Sequence, residues 1–399
     1  MVDSNDEAQR KVFAPAQLAG LRLRNRVIKT ATYEGMTPGG VPSDALIHHH
    51  CELAAGGVGM TTVAYCAVSP NGRTFAQQMF MRPAIVPKLR ELTTAVHGEG
   101  AAVSIQLGHC GFFSRNTELP GRRSLGPSFA LNQYGLMSGV PFARAMSERD
   151  IDDVIDEFST AATLAMRAGF DAVEVHLGHG YLLSQFISPA TNRRRDRWGG
   201  SLDNRMRLPL AVLERVREVV GRGVPILAKT NLRDGFRGGL EIDEAIGVAQ
   251  RLEAAGIDAI VLSGGFTSKN PFYLFRGKRP LKEMIEVEHS WPQKIALRLF
   301  GASAIKEYPF TELYFLEYAR RVRAAVRVPL VLLGGALSLD NLTTAMHEGF
   351  DFVAMGRALI ADPDLIARMQ RGEATRSRCT SCNKCVAEMD RNGVRCVLE

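Results

Sequence analysis

Short apolar, β-branched runs alternate along the chain with longer stretches in which apolar residues recur every three or four positions. The runs cover residues 27–31, 58–64, 102–106, 172–176, 225–230, 259–263, 330–334 and 352–356. Most are continuously apolar rather than alternating, the pattern of parallel strands covered on both faces. Helical periodicity fills 83–98, 147–169, 202–220, 242–255, 311–326 and 339–347. Ser147 and Asp150 stand at capping-box spacing before the second of these. The phrases RAG-FDAVEV and AAG-IDAIV end a helix on glycine and start a strand a few residues later, which is αβ-loop chemistry.

Eight strands each followed by a helix predict an α/β fold, a (β/α)8 TIM barrel with insertions. A doubly wound open sheet is the alternative, but no G-x-G-x-x-G follows any strand. The largest interruption, 266–309, is rich in Pro, Lys and aromatic residues and is expected to be a functional loop over the barrel mouth. The organisation expected is a barrel over residues 1–372 and a short Cys-rich tail over 373–399.

The 399 residues are 46% hydrophobic and 23% charged, which excludes disorder and small disulfide scaffolds. No apolar run reaches the ~18 residues of a membrane helix, and the polar start MVDSNDEAQRK resembles neither a secretory signal nor a transit peptide. A cytoplasmic enzyme is the expectation. The net charge of +7 comes from scattered arginines, without the basic stripes and interleaved aromatics of a nucleic-acid binder. An anionic small-molecule ligand accounts for that excess equally well. Oligomeric state is open, and a homo-oligomer is compatible with everything above.

In a barrel the chemistry gathers at the C-terminal strand ends. Strand four ends in His176, His179 and Tyr181. Two histidines three apart with no third ligand nearby make a poor zinc site. A phenol of pKa ~10 beside two carbonyl-gripping donors suits protonation of a carbon next to a carbonyl. Strand five carries Lys229 among apolar neighbours, either a Schiff-base lysine, as in a lyase, or a fixed cation for a bound anion. Gln106 on strand three offers a donor and an acceptor to a heterocycle. Gly334, Gly335 and Ala336 after strand seven, and Gly356 and Arg357 after strand eight, occupy the two loops that bind phosphate in this architecture. Flavin mononucleotide (FMN) satisfies these features together.

The stretch AGFDAVEVHLGHGYLLSQFISPATNRRRDRWGGSLDNRMRL resembles the motif of the Old Yellow Enzyme family, H-x-x-[HN]-G-Y-L-x-x-Q-F followed by N-x-R-x-D-x-[YW]-G-G-S-x-x-N-R. LRLRNRVIKTA, GGVGM, IQLGH and AMGRALIADPDL extend the resemblance over about 12–372. It implies an FMN-dependent oxidoreductase that reduces the C=C bond of α,β-unsaturated carbonyl compounds with NADPH or NADH. Hydride would pass from flavin N5 and a proton from Tyr181. His176 and His179 would grip the carbonyl, Gln106 and Lys229 would meet the flavin pyrimidine, and Ala31, Thr32 and Tyr65 would line the isoalloxazine. Gly335, Ala336, Gly356 and Arg357 would hold the phosphate. A dehydrogenase or demethylase running the flavin in the other sense belongs to the same family.

Two departures stand out. Tyr33 replaces the Thr or Cys that many members place against the flavin, and Phe112 replaces the arginine after the strand-three histidine. In the tail, Cys379, Cys382, Cys385 and Cys396 are spaced C-x2-C-x2-C-x10-C. Larger relatives of the dienoyl-CoA reductase and trimethylamine dehydrogenase type bind a four-iron cluster through C-x2-C-x3-C-x11-C. A metal-free tail, a zinc site and an iron–sulfur cluster are all compatible with the four cysteines here.

Overall fold

The computed structural model describes residues 4–398. All eight apolar runs form strands: β1 (Val27–Lys29), β2 (Met60–Ala67), β3 (Ala102–Gly108), β4 (Ala172–Leu177), β5 (Ile226–Asn231), β6 (Ala259–Ser263), β7 (Leu330–Leu333) and β8 (Phe352–Met355). Neighbours pair in parallel in chain order, and β8 returns to β1 to close a barrel. The eight-stranded barrel expected from the alternating runs is therefore the fold.

Side chains two apart on a strand share a face. Ile28, Met60, Ala172, Leu227, Ala259, Val331 and Phe352 fill the lower barrel interior. A hairpin of Ala16–Leu18 and Leu21–Leu23 plugs that end, with Leu18 and Leu23 packed into the same cluster. One step further up the strands the same interior face turns polar: Glu174 follows Ala172, and Lys229 follows Leu227. The bottom of the barrel is a packed plug and the top is a polar floor.

Helices Leu202–Val220 and Leu339–His347 match their sequence patterns, and Ser147 with Asp150 forms a full capping box on Glu148–Arg167. Gly169 and Gly256, at φ +87° and +74°, turn their helices into β4 and β6. The helix expected over 311–326 shortens to Leu316–Arg323, because Leu313 sits at φ +48°, outside helical space.

The insertion departs most from its expectation. The segment read as a loop over 266–309 folds into three helices, Pro271–Phe275, Leu281–Val287 and Trp291–Ala304. Leu281 packs against Gly301, so the last two lean together as a cap over the mouth. A small three-stranded sheet after β3, from Arg123–Gly126, Ala130–Leu131 and Phe142–Ala145, builds the facing rim. The tail lies against this upper surface: the Leu339 N–H donates to the Thr375 carbonyl and the Val394 N–H to the Glu34 carbonyl. No helix among the described residues is long and apolar enough to cross a membrane.

Candidate active site

The C-terminal strand ends surround a cavity of about 960 Å³. Every non-cysteine residue that the sequence offers as a catalytic or cofactor-binding candidate lines it: Ala31, Thr32, Tyr65, Gln106, His176, His179, Tyr181, Lys229, Gly334, Gly335, Ala336, Gly356 and Arg357.

At the floor, Lys229 Nζ lies 2.8 Å from Glu174 Oε1 and donates to Thr30 Oγ1 at 3.0 Å. Gln106 Nε2 donates to the same Glu174 oxygen at 2.7 Å. Both charged groups are almost fully buried. Adjacent strands force this meeting, since Gln106 pairs in register with Glu174, and Leu227, two residues before Lys229, pairs with Glu174 too. Lys229 is thus a paired cation, which leaves less freedom for the Schiff-base reading than an isolated lysine would have. Glu174 and Thr30 escaped the sequence reading. The signal was available: a glutamate in AVEVHL is as anomalous as the lysine in ILAKTN.

Above the floor the turn after β4 presents the imidazoles and the phenol. His176 Nδ1 accepts the Gly178 N–H at 3.3 Å, so its proton sits on Nε2. His179 takes φ +58°; its N–H donates to Asn231 Oδ1, and its Nε2 lies 2.7 Å from Ser263 Oγ at the end of β6. The ring of His176 packs 4.6 Å from Tyr181 and 5.0 Å from His179, centre to centre, and Tyr65 lies 4.8 Å from Tyr181. Burial, with His179 and Lys229 nearby, holds the His176 imidazole well below its usual pKa. Burial and the Lys229 cation push His179 down to about 3. Both are neutral at physiological pH. Burial pushes the Tyr181 phenol above its usual value, so it keeps its proton there.

The residues after the turn explain why its motif is so long. Gln185 Nε2 donates to the Cys110 and Gly180 carbonyls, and its oxygen accepts the Phe112 N–H. Asn192 donates to the Phe186 and Trp198 carbonyls, while Arg194 pairs with Asp196 at 2.6 Å. The arginine run is part of the scaffold that holds the Tyr181 turn.

On the opposite side, Gly334 and Gly335 adopt φ +115° and +85°; a Cβ on Gly334 would strike the rings of Phe315 and Tyr314, and one on Gly335 the Tyr314 ring and the Thr311 carbonyl. Bare backbone therefore faces the cavity there, next to Arg357. Arg357 donates to the Arg276 carbonyl at 2.9 Å and to Asn383 Oδ1 of the tail. A glycine cradle with an arginine at one end, and a cation and an amide at the floor, fit a phosphorylated heterocycle such as FMN.

Tyr33, the first departure, stands edge-on to Phe75 at 5.6 Å on the cavity wall. Phe112, the second, stacks 6.2 Å from Phe266. The four tail cysteines, Cys379, Cys382, Cys385 and Cys396, ring a second cavity of about 20 Å³ behind Arg357. Burial, and the three other thiols nearby, push Cys385 up to about 12. Among the described residues no group of three or more His, Cys, Asp or Glu side chains is poised to hold a metal ion.

Known proteins carry the same architecture. The family model described as the NADH:flavin oxidoreductase / NADH oxidase family matches residues 11–266. A 4,4'-dithiodibutanoate disulfide reductase of Rhodococcus erythropolis is 45% identical over 392 residues, 97% of this chain and 94% of that one. A metal reductase of Desulforamulus reducens is 32% identical over 94% of this chain, which spans about half of that relative's length (51%). In three dimensions, morphinone reductase in complex with tetrahydroNAD superposes with a TM-score of 0.69 at 24% identity, covering 93% of each chain. With the barrel, the glycine cradle and the cation at its floor, these matches establish that the chain belongs to the NADH:flavin oxidoreductase / NADH oxidase family, the Old Yellow Enzyme-like enzymes, and is an NAD(P)H-dependent flavin oxidoreductase.

Proposed function

We propose that the enzyme reduces the C=C bond of an α,β-unsaturated carbonyl compound, with Tyr181 as the proton donor. The observation that carries this reading is the Tyr181 phenol, half-buried and protonated, packed against the His176 and Tyr65 rings at the cavity wall. Bound FMN supplies the hydride that a nicotinamide delivers. Gln106 and Lys229 would hold its pyrimidine edge, and Gly335, Ala336, Gly356 and Arg357 its phosphate. Ala31, Thr32 and Tyr65 would bear on its ring system.

The protein's own groups do the rest. His176 turns its Nε2–H into the cavity because its Nδ1 is occupied by Gly178. A neutral donor there binds a carbonyl oxygen and polarises the conjugated alkene. His179 shares that task, its ring held by Ser263 and its backbone by Asn231. The Tyr181 hydroxyl delivers its proton to the carbon next to the carbonyl as the far carbon accepts hydride. Positioned proton transfer of this kind contributes ~10²–10⁴-fold.

A second acceptor class has a specific observation behind it, the 45% identical relative named as a 4,4'-dithiodibutanoate disulfide reductase. With an organic disulfide in the cavity, hydride adds to one sulfur, the S–S bond breaks, and Tyr181 protonates the departing thiolate to leave two thiols. For the tail, we propose that Cys379, Cys382, Cys385 and Cys396 hold zinc or an iron–sulfur cluster. Their spacing and their place around one small cavity behind Arg357 support this, and the thiols would have to draw closer, since no group of three is gathered to hold a metal ion among the described residues. Metal analysis of anaerobically purified protein tests it, and absence of both iron and zinc ends that reading.

Anaerobic stopped-flow kinetics of Tyr181→Phe test the main proposal. Flavin reduction by NADH or NADPH should survive, while reoxidation by an enone slows at least a hundredfold. Unchanged rates in both half-reactions would remove Tyr181 from the chemistry.

A further inference from the structure

Three fixed cations line the large cavity. Lys229 is neutralised by Glu174, and Arg357, assigned above to the FMN phosphate, is held in place by Asn383 and the Arg276 carbonyl. Arg115 differs from both. Its backbone N–H is pinned to the Thr74 carbonyl at 2.7 Å. Its guanidinium lies over the rings of Phe75 and Tyr134, 5.6 and 5.3 Å from their centres. Among the described residues it makes no ion pair, and no acceptor meets its side-chain N–H groups.

Its place relative to the reacting groups is fixed by aromatic contacts. Tyr134 packs on Phe113 at 4.3 Å, and Phe113 meets Tyr181 edge-on at 6.1 Å. The cation and the proposed proton donor therefore stand on one aromatic wall of one cavity. Ring faces hold a guanidinium in orientation while leaving its edge open. That planar edge, with paired N–H donors, matches a carboxylate. Asp390 and Glu288 line the same rim with His289, and none of them reaches ion-pair distance of Arg115 among the described residues. Burial pushes the Asp390 carboxyl above its ordinary range, with the Arg115 cation pulling the other way.

We propose that Arg115 anchors an anionic group, a carboxylate, on the reducible substrate, at the end remote from the bond that reacts. This rests on the reading of Tyr181 as proton donor in that cavity. The acceptor class narrows accordingly to carboxylate-bearing enones or disulfides, and Arg115 is a specificity-determining residue.

The test uses the FMN-loaded full chain and a matched pair of substrates, an enone with a terminal carboxylate and the same enone as its primary amide. The wild-type enzyme should prefer the carboxylate about tenfold or more in KM, the range expected of a charge-assisted contact. In Arg115→Met that ratio falls toward one, mainly through KM rather than kcat. Arg115→Lys keeps part of it, and Asp390→Asn raises it. Equal KM values for the pair in wild type, or an undiminished ratio in Arg115→Met, overturn the proposal. So does a loss confined to the nicotinamide half-reaction, which would assign Arg115 to a cofactor phosphate instead. Calorimetry with the saturated keto-carboxylate and keto-amide separates failure of the anchor from failure of the ene-reductase reading. A carboxylate preference in binding without turnover supports the anchor and sinks the ene-reductase reading. Equal binding sinks the anchor. If Arg115→Met does not fold, the wild-type pair and Arg115→Lys still decide.

Discussion

Lys229 and Glu174 face each other across β5 and β4 with Nζ and Oε1 2.8 Å apart, both sealed from solvent beneath the cavity. A buried pair of this kind is costly to break from one side, because the survivor keeps an uncompensated charge. It also sets the local field: the cation at the floor arrives with its counter-charge, and Gln106 is oriented by the same carboxylate oxygen.

Glu174→Gln should therefore lower stability by roughly 3–5 kcal/mol, with Lys229 left unpaired. Lys229→Met in the same background should recover part of that loss. Thermal melts of the four members of this double-mutant cycle measure the coupling. Additive effects would mean the two groups do not act as a pair.

Gly180 precedes Tyr181 at φ +76°, and a Cβ there would run into the ring of Phe266. Gly180→Ala should destabilise the protein by about 1–3 kcal/mol from overpacking alone and swing the phenol away from the His176 ring. Reoxidation by an enone should slow more than reduction by the nicotinamide. Equal slowing of both half-reactions would point to general loss of fold.

Asn383 ties the tail to Arg357, and its amide also donates to the Lys278 carbonyl at 3.0 Å. Asn383→Ala should loosen Arg357 and weaken FMN binding about tenfold, a loss of ~1.4 kcal/mol. Riboflavin, which lacks the phosphate, should bind the variant as it binds wild type. A parallel loss for both ligands would place the effect on the ring rather than on the phosphate.

Buried imidazoles make stability depend on pH. Burial pushes His109 down to about 4 and His179 to about 3. In the unfolded chain a histidine takes up its proton near pH ~6.5. Between those limits the unfolded state binds more protons than the folded one, so stability falls as pH falls from ~6.5 toward 4. Melting temperatures from pH 8 to 4 should trace that decline, and His109→Gln should flatten it. An identical slope in the variant would show that other groups carry the acid sensitivity.

The amino-acid order alone determined the barrel. Continuous apolar runs separated by amphipathic helices admit few packings, and eight of them closed in chain order. It also determined which strand ends carry chemistry, because a lysine, a glutamine or paired histidines in apolar surroundings are expensive unless used. Tertiary structure decided the rest. That Glu174 would neutralise Lys229 depends on register between neighbouring strands, which no local pattern encodes. That 266–309 would cap the mouth as three helices depends on packing Leu281 against Gly301, a contact between segments with weak periodicity of their own. And Arg115, unremarkable in FFSRNTELP, became a distinct group only when folding placed Phe75 and Tyr134 beneath its guanidinium and, among the described residues, no carboxylate within ion-pair distance of it. Hydrophobic periodicity is local and survives in one dimension; charge pairing and cavity shape are long-range and exist only once the chain has closed on itself.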